Sequence, residues 1–298
     1  MPDMPGDRPV DVPDPAVIRH IHRVTEPYHT IVYFASERGE IYRRLGLGGA
    51  SGYFASRSAA LGAVPAQVVT ATFFNFAPDL VTAAMDGVWA QTTPEAVLAA
   101  RLEVVDVALR AQLGDAIVES DEMARAAALA RGAAAEATSY VEGRPLFAAH
   151  AALDWPTEPH LVLWHAVTLL REFRGDGHVA TLVTTGLDGL DAIVINAASR
   201  QIPESFLRAT RGWDEDAWTR AIELHRQTGW LAPDDDGTGA LELTSDGVEQ
   251  REAIEAATDR ASTLPWLAIG TAGITELDGL MSPWAKTLSD GMFAQFKS

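Results

Sequence analysis

Apolar residues recur every three to four positions along most of the chain, the period of helices that pack on one side. The pattern predicts helices over residues 20–44, interrupted near the start by Pro27, and over 75–90, 94–114 and 120–142. In RLEVVDVALRAQLG, Leu102, Val105, Leu109 and Leu113 share one face, and Gly114 supplies a C-terminal stop. The stretch after Ser120 is alanine-rich, with Asp121 and Glu122 in the first turn, where negative charge complements the helix dipole. Glu158-Pro159 opens a further apolar helix, HLVLWHAVTLLREF. From Trp213 the pattern reads as a helix with Asp214 and Glu215 in its first turn and Gly229 at its end. An extended Trp230-Leu231, an acidic tight turn, a strand over 240–243, Thr244 as N-cap and a long helix follow. Residues 263–298 read as one or two amphipathic helices broken by Pro283.

The order of signals in the second half repeats that of the first. Glu26-Pro27 is matched by Glu158-Pro159, residues 52–71 by 177–196, Pro78 by Pro203, Val88-Trp89 by Gly212-Trp213, and Gly114 by Gly229. The expected fold is mainly α with small β-wings: two winged-helix-like modules in a pseudo-twofold arrangement arising from internal duplication. The expected boundaries are a proline- and acid-rich mobile leader (1–15), an N-terminal module (16–142), an ordered linker (143–159), a C-terminal module (160–262) and terminal helices (263–298).

Of the 298 residues 47% are hydrophobic and 21% charged, with a mean hydropathy of +0.01. That is globular composition and excludes a disordered or collagen-like chain. The chain has no cysteine, which excludes disulfides, zinc–thiolate sites, iron–sulfur clusters and cysteine nucleophiles. No apolar run reaches the roughly 18 to 20 residues that cross a bilayer. The start, MPDMPGDRPVDVPDP, lacks the basic-then-apolar pattern of a secretion signal, so a cytoplasmic protein without membrane contact is expected. Forty-one acids against 23 bases give a net charge of −18, and the lysines are Lys286 and Lys297 alone. Such a surface repels phosphate backbones and argues against nucleic acid as a partner.

The densest polar cluster is REFRGDGHVATL (171–182), with Arg171, Glu172, Arg174, Asp176 and His178 around Gly175 and Gly177. The glycines predict a tight turn after the apolar helix, from which Arg174 and His178 point at one spot. A guanidinium fork suits a carboxylate or phosphate, and an imidazole adds proton transfer near neutrality. The structural alternative makes Arg171 and Asp176 helix caps and His178 a core residue. In YFASRSAALG (53–62), Tyr53, Ser56, Arg57 and Ser58 suit an anionic group, or the two serines cap a helix. Phe73, Phe74 and Phe76 around Asn75, with Trp164, His165 and Phe173, supply the walls of a pocket or plain core. Catalysis would use His178 as general acid/base oriented by Asp176, with Arg174 holding negative charge. His178 as axial ligand, with Arg174 or Arg57 on a propionate, would instead serve a haem-type tetrapyrrole. P-loop, dinucleotide-binding, HExxH and GxSxG signatures are absent. DDDGTG (234–239) is no calcium loop, because its twelfth position is Ser245.

Gly229, Leu231, Leu243, Thr244, Gly247, Arg251, Ile254 and Thr258 carry a resemblance over 160–262 to MarR-like winged-helix regulators. The stretches ASRSAALGAVPA, ATFFNF, GRPLFAAHAAL, LREFRGDGHVA and RGW resemble an actinobacterial family described only as helix-turn-helix. The resemblance implies a recognition helix within 202–211, bearing Glu204, Arg208 and Arg211, and terminal helices that make a homodimer or pack on their own first half. Asp234, Asp235 and Asp236 stand in the wing turn where DNA-binding members carry basic residues, and they oppose a phosphate backbone. The expectation is a winged-helix scaffold that has lost DNA contact and holds a small organic anion between its modules. Its rivals are the enzyme above and a ligand-responsive transcriptional regulator.

Overall fold

Long helices begin at residues that can cap them. Asp14 accepts from Ala16 N (2.7 Å), Ser120 from Met123 N (3.1 Å), Asp214 from Ala217 N (2.6 Å) and Thr244 from Gly247 N (2.9 Å). The computed structural model describes residues 11–234 and 237–294, with side chains through Met292. The helices are α1 (Pro15–Phe34), α2 (Arg38–Arg43), α3 (Gly49–Ser58), α4 (Ala66–Thr72), α5 (Pro78–Met85), α6 (Val88–Gln91), α7 (Pro94–Leu113) and α8 (Asp115–Val118). There follow α9 (Asp121–Ala137), α10 (Pro145–Ala151), α11 (Pro159–Thr185), α12 (Gly189–Ala198), α13 (Glu204–Arg211), α14 (Glu215–Gln227), α15 (Ser245–Ala261) and α16 (Gly270–Ala294). The protein is mainly helical, and the expected wing is reduced to one isolated antiparallel bridge, Leu231 to Leu243, among the described residues.

Several elements differ from their expected form. Pro27 and Pro283 lie inside α1 and α16 without ending them. The helix expected over 75–90 is two short ones, parted at Gly87 in the left-handed region (φ 66°). The turn expected at Gly175 and Gly177 is absent, because α11 runs unbroken through both. Gly177 instead leaves room for Arg144: a Cβ there would stand 2.8 Å from Arg144 Nη1. That guanidinium donates to the carbonyls of Phe173 and Ala261 and ties α11 to the end of α15.

Two units share α11. Its first half is buried on every side from His160 to Leu170, as befits a helix at the centre of a bundle. Around it α1, α7, α9, α10 and α16 form one continuous core. The segment 143–159 therefore carries part of that core (Leu146, Phe147 and His150, all buried). α16 buries Ile274, Leu277, Met281 and Leu288 against its own chain. Residues 1–10 lie outside the described residues, whereas Asp11 accepts from Thr271 N at 2.8 Å. A smaller core of Leu190, Ile193, Val194, Leu207, Trp218 and Leu231 joins α12, α13 and α14. The first half has no counterpart to the 231–243 bridge among the described residues: α7 and α9 are joined instead through α8.

The smaller unit docks on residues 73–80 of the bundle. Ala77 N donates to Arg211 O (2.8 Å), and Trp213 Nε1 donates to Asn75 O (3.2 Å). Gly212, in the left-handed region (φ 77°), leaves no room for a Cβ beside Leu80. α15 is held from the other side by its buried Asp259, which pairs with Arg19 Nε of α1 and Arg174 Nη1 of α11, both at 2.7 Å.

Candidate functional site

Where α1, α11 and the 73–76 segment meet the small unit, a cavity of about 440 Å³ remains. That is within the range that holds small organic ligands. Arg57 enters from the last turn of α3, and Arg171, Arg174 and His178 enter from successive turns of α11. Phe73, Phe74 and Asn75 form a wall, so eight of the expected site residues (these seven and Asp176) open onto one hollow.

Five others do not line it. Ser56 and Ser58 donate back to the carbonyls of Tyr53 and Phe54 within their own helix turns. Tyr53 acts indirectly, its hydroxyl taking a hydrogen bond from Arg57 Nη1 (2.8 Å). Trp164 is a core residue donating to His29 O (3.2 Å). His165 packs edge-on against Trp155, and burial pushes its pKa down to about 3.

Within the cavity the roles also change. Arg174 is engaged with Asp259 and with Glu255 (3.1 Å), so it does not stand ready for a ligand. Arg171 Nη1 holds Glu172 Oε2 at 2.9 Å. Burial alone would raise the Glu172 pKa, but the charges of Arg171 and Arg57 outweigh it and hold the carboxyl well below its usual range. Asp176 does not orient His178. It accepts from Phe147 N (2.9 Å) and so caps α10, because residues two apart on a helix point to different sides. Burial, aided by Glu172, pushes Asp176 up to about 6 against that hydrogen bond. His178 Nδ1 is bonded to Thr258 Oγ1 (2.9 Å), so only its other ring nitrogen is left for a proton or an axial bond. Burial lowers its pKa, opposed by the charge of Glu255.

Among the cavity residues that the sequence reading did not assign to a site are His22, Asn196 and Arg211. His22 and Asn196 are polar residues within otherwise apolar helix stripes, beside Ile18 and Ile21 and beside Ile193, which was a readable signal. The resemblance to winged-helix regulators puts Arg211 on a DNA-reading helix. It lies instead over the Phe76 ring (4.7 Å to the centroid) and faces the cavity. Four buried polar atoms here have no hydrogen-bond partner: Arg57 Nε, Arg211 Nε, His22 Nε2 and Asn196 Oδ1. Buried polar atoms are rarely left unpaired, and these four belong to residues that line one hollow.

The helix-turn-helix element also moves. α13 and α14 are joined by Gly212, Trp213 and Asp214, a three-residue turn with a left-handed glycine, and α14 leads into the bridge. The second helix of the pair, the one that would read DNA, is thus α14 rather than the helix within 202–211. Its first turn holds Asp214, Glu215 and Asp216. Arg208 of α13 is paired with Glu204 and Glu215, both at 2.7 Å, and lies over Trp218. Of the acidic wing residues, Asp234 caps the turn by accepting from Gly239 N, while Asp235 and Asp236 lie outside the described residues.

Architecture and site together define a mainly helical protein in which a helix-turn-helix unit is docked on a larger helical bundle. The chain belongs to a helix-turn-helix family, whose model matches residues 18–295. No curated protein and no solved structure matches it. No single helix among the described residues is long and apolar enough to cross a membrane.

Proposed function

We propose that this is a small-molecule-binding protein that holds an organic anion in the cavity between bundle and helix-turn-helix unit, on a MarR-like winged-helix scaffold no longer used to grip DNA. One observation carries the reading. In a chain of net charge −18, six arginines line one cavity, and one of them, Arg57, is 7% exposed with an unpartnered Nε. The carboxylate closest to it among the described residues, Glu172 at 3.9 Å, is already held by Arg171, so an anionic ligand would supply the hydrogen-bonded counterion that Arg57 lacks.

The test is thermal stability across a panel of small carboxylates, phosphates and sulfonates beside neutral isosteres. At least one anion is expected to raise Tm by several degrees through mass action, whereas its neutral isostere leaves it unchanged. Val179→Trp, which fills the cavity from α11, is expected to abolish the gain. A gain that survives Val179→Trp, or no gain from any anion, overturns the reading.

The loss of DNA contact is supported by the carboxylates that open α14 and by the pairing of Arg208. A gel shift at low salt with random duplex is expected to show no retardation at micromolar protein. A retarded band whose affinity falls steeply with salt would restore the regulator. The enzymatic alternative is weaker, because His178 has Thr258 and not a carboxylate on its Nδ1.

A further inference from the structure

Of the six cavity arginines, Arg19, Arg171 and Arg174 are engaged by carboxylates at 3.1 Å or less, and Arg23 is exposed to solvent. Arg57 and Arg211 remain. Arg57 comes from the bundle, Arg211 from the last residue of α13 in the smaller unit. Arg57 lies on the face of Phe73 (4.2 Å) and Arg211 on the face of Phe76 (4.7 Å), the two ends of one short segment. The nearest carboxylate oxygen to Arg57 among the described residues is that of Glu172 at 3.9 Å, beyond hydrogen-bond reach, and Arg211 donates to the Thr210 hydroxyl (2.7 Å). Both leave Nε buried and unpartnered. The Nε edge of a guanidinium is one of those that take a carboxylate through two parallel hydrogen bonds. Burial lowers the pKa of Arg211, and the nearby charge of Arg57 lowers it further against the opposing effect of Tyr53.

Among the other lining residues, Asn196 of α12 carries a buried Oδ1 with no donor, and His22 of α1 a buried, unpartnered Nε2. The open acceptor asks for an N–H or O–H on the ligand. Phe73, Phe74 and Phe76 ask for a flat apolar body, which a bare inorganic anion would leave unmatched.

Resting on the cavity reading above, we propose that Arg57 and Arg211 clasp the carboxylate of a flat, unsaturated organic acid whose N–H or O–H donates to Asn196. The ligand then bridges the two units, because its anion is held by one arginine from each.

The test uses three probes in calorimetric titrations of the full chain. Indole-3-carboxylate has the acid and the ring N–H, indole-3-carboxamide lacks the charge, and 1-benzothiophene-3-carboxylate lacks the donor. The first is expected to bind at least about tenfold more tightly than the second, a difference of about 1.4 kcal/mol, and several-fold more tightly than the third. Arg211→Gln, at a half-buried position, is expected to remove that advantage over the carboxamide while leaving Tm within a degree or two. Should that variant fail to fold, the carboxylate-to-carboxamide ratio of the unaltered protein still decides. Equal affinity for both, undiminished carboxylate binding by a folded Arg211→Gln, or no binding of indole-3-carboxylate at all overturns the clasp. If a phosphate or sulfonate meanwhile stabilises the protein but not Val179→Trp, the clasp alone has failed and the cavity reading stands.

Discussion

Gly189→Ala is expected to unseat the helix-turn-helix unit from the bundle. Gly189 is the first residue of α12, and alanine there would ordinarily favour the helix, whose start is already fixed by Asp188 accepting from Asp191 N at 2.9 Å. The obstacle lies across the interface. A Cβ on Gly189 would run into the carbonyl oxygen of Phe74, with the carbonyl carbon at 2.9 Å and Asn75 Cα at 3.2 Å. All of these are backbone atoms, so no side chain can swing aside. The start of α12 would have to retreat, taking with it the Trp213 Nε1 to Asn75 O and Ala77 N to Arg211 O bonds that secure the same segment. Overpacking of this kind costs about 1–3 kcal/mol and occasionally more, and the loss of the two neighbouring bonds places this case at or above about 3 kcal/mol. Denaturant titration should give that loss, and hydrogen exchange should quicken in α12–α14 while α9 and the first half of α11 stay protected. Gly279→Ala is the control: no atom stands within 4 Å of its Cβ position. A Gly189→Ala protein within about 0.5 kcal/mol of the unaltered one would falsify this account of the docking.

What was legible in the sequence is what local chemistry decides. Pro94 and Gly114 bound α7 as expected, and Ser120 and Thr244 cap α9 and α15, because caps and left-handed glycines act within a few residues. Gly175 and Gly177 misled because a glycine marks a turn only if nothing else holds the helix. Here Arg144, about thirty residues earlier in the chain, packs against Gly177 and joins α11 to α15. The wing shrank to a bridge because only Leu231, Leu241 and Leu243 of that hairpin reach the small core. For the site, the repeat of signals between the two halves places Arg57 and the 171–178 segment at comparable positions, and both do line one cavity. Their division of labour was not legible. Arg174 had to be seen against Asp259, 85 positions away, before Arg211 could emerge as the open partner. A polar residue in an apolar stripe is readable, as at His22 and Asn196, but whether it stays unpaired is not, since that is defined by what fails to come near it.

Acid is expected to unfold the protein over a narrow range below pH 6. His22, His29, His150 and His165 are all buried and neutral. Burial pushes His22 and His165 down to about 3 and His150 to about 4, and His29 well below its ordinary value. The neighbouring charges of Arg171 and Arg174 lower His22 further, and that of Arg101 lowers His150 and His165. A histidine whose folded pKa is depressed takes its proton only in the unfolded chain, where the pKa is about 6.5. Each of the four therefore withdraws stability as pH falls below that value, and goes on doing so down to its folded pKa. Asp176 acts in the opposite sense. With its folded pKa raised to about 6, the stability it confers is complete below its unfolded pKa of about 3.9 and disappears as pH rises through 6. Four protons gained by the unfolded state against one gained by the folded state leave a difference of at least three, since the lowered pKa of His178 acts in the same sense, and a slope of about 4 kcal/mol per pH unit or more. Folding free energies are about 5–15 kcal/mol in total, so about one to four pH units suffice to exhaust them. Glu172, held low by Arg171 and Arg57, stays ionised throughout this window and adds its own loss only below about pH 4. Urea midpoints at pH 7, 6 and 5 should fall steeply, and His165→Gln should flatten the slope by up to about a third by removing one of the net protons. A midpoint unchanged between pH 7 and 5 would mean that these imidazoles reach water in the folded protein, and with them the core through which α11 carries the cavity's arginines.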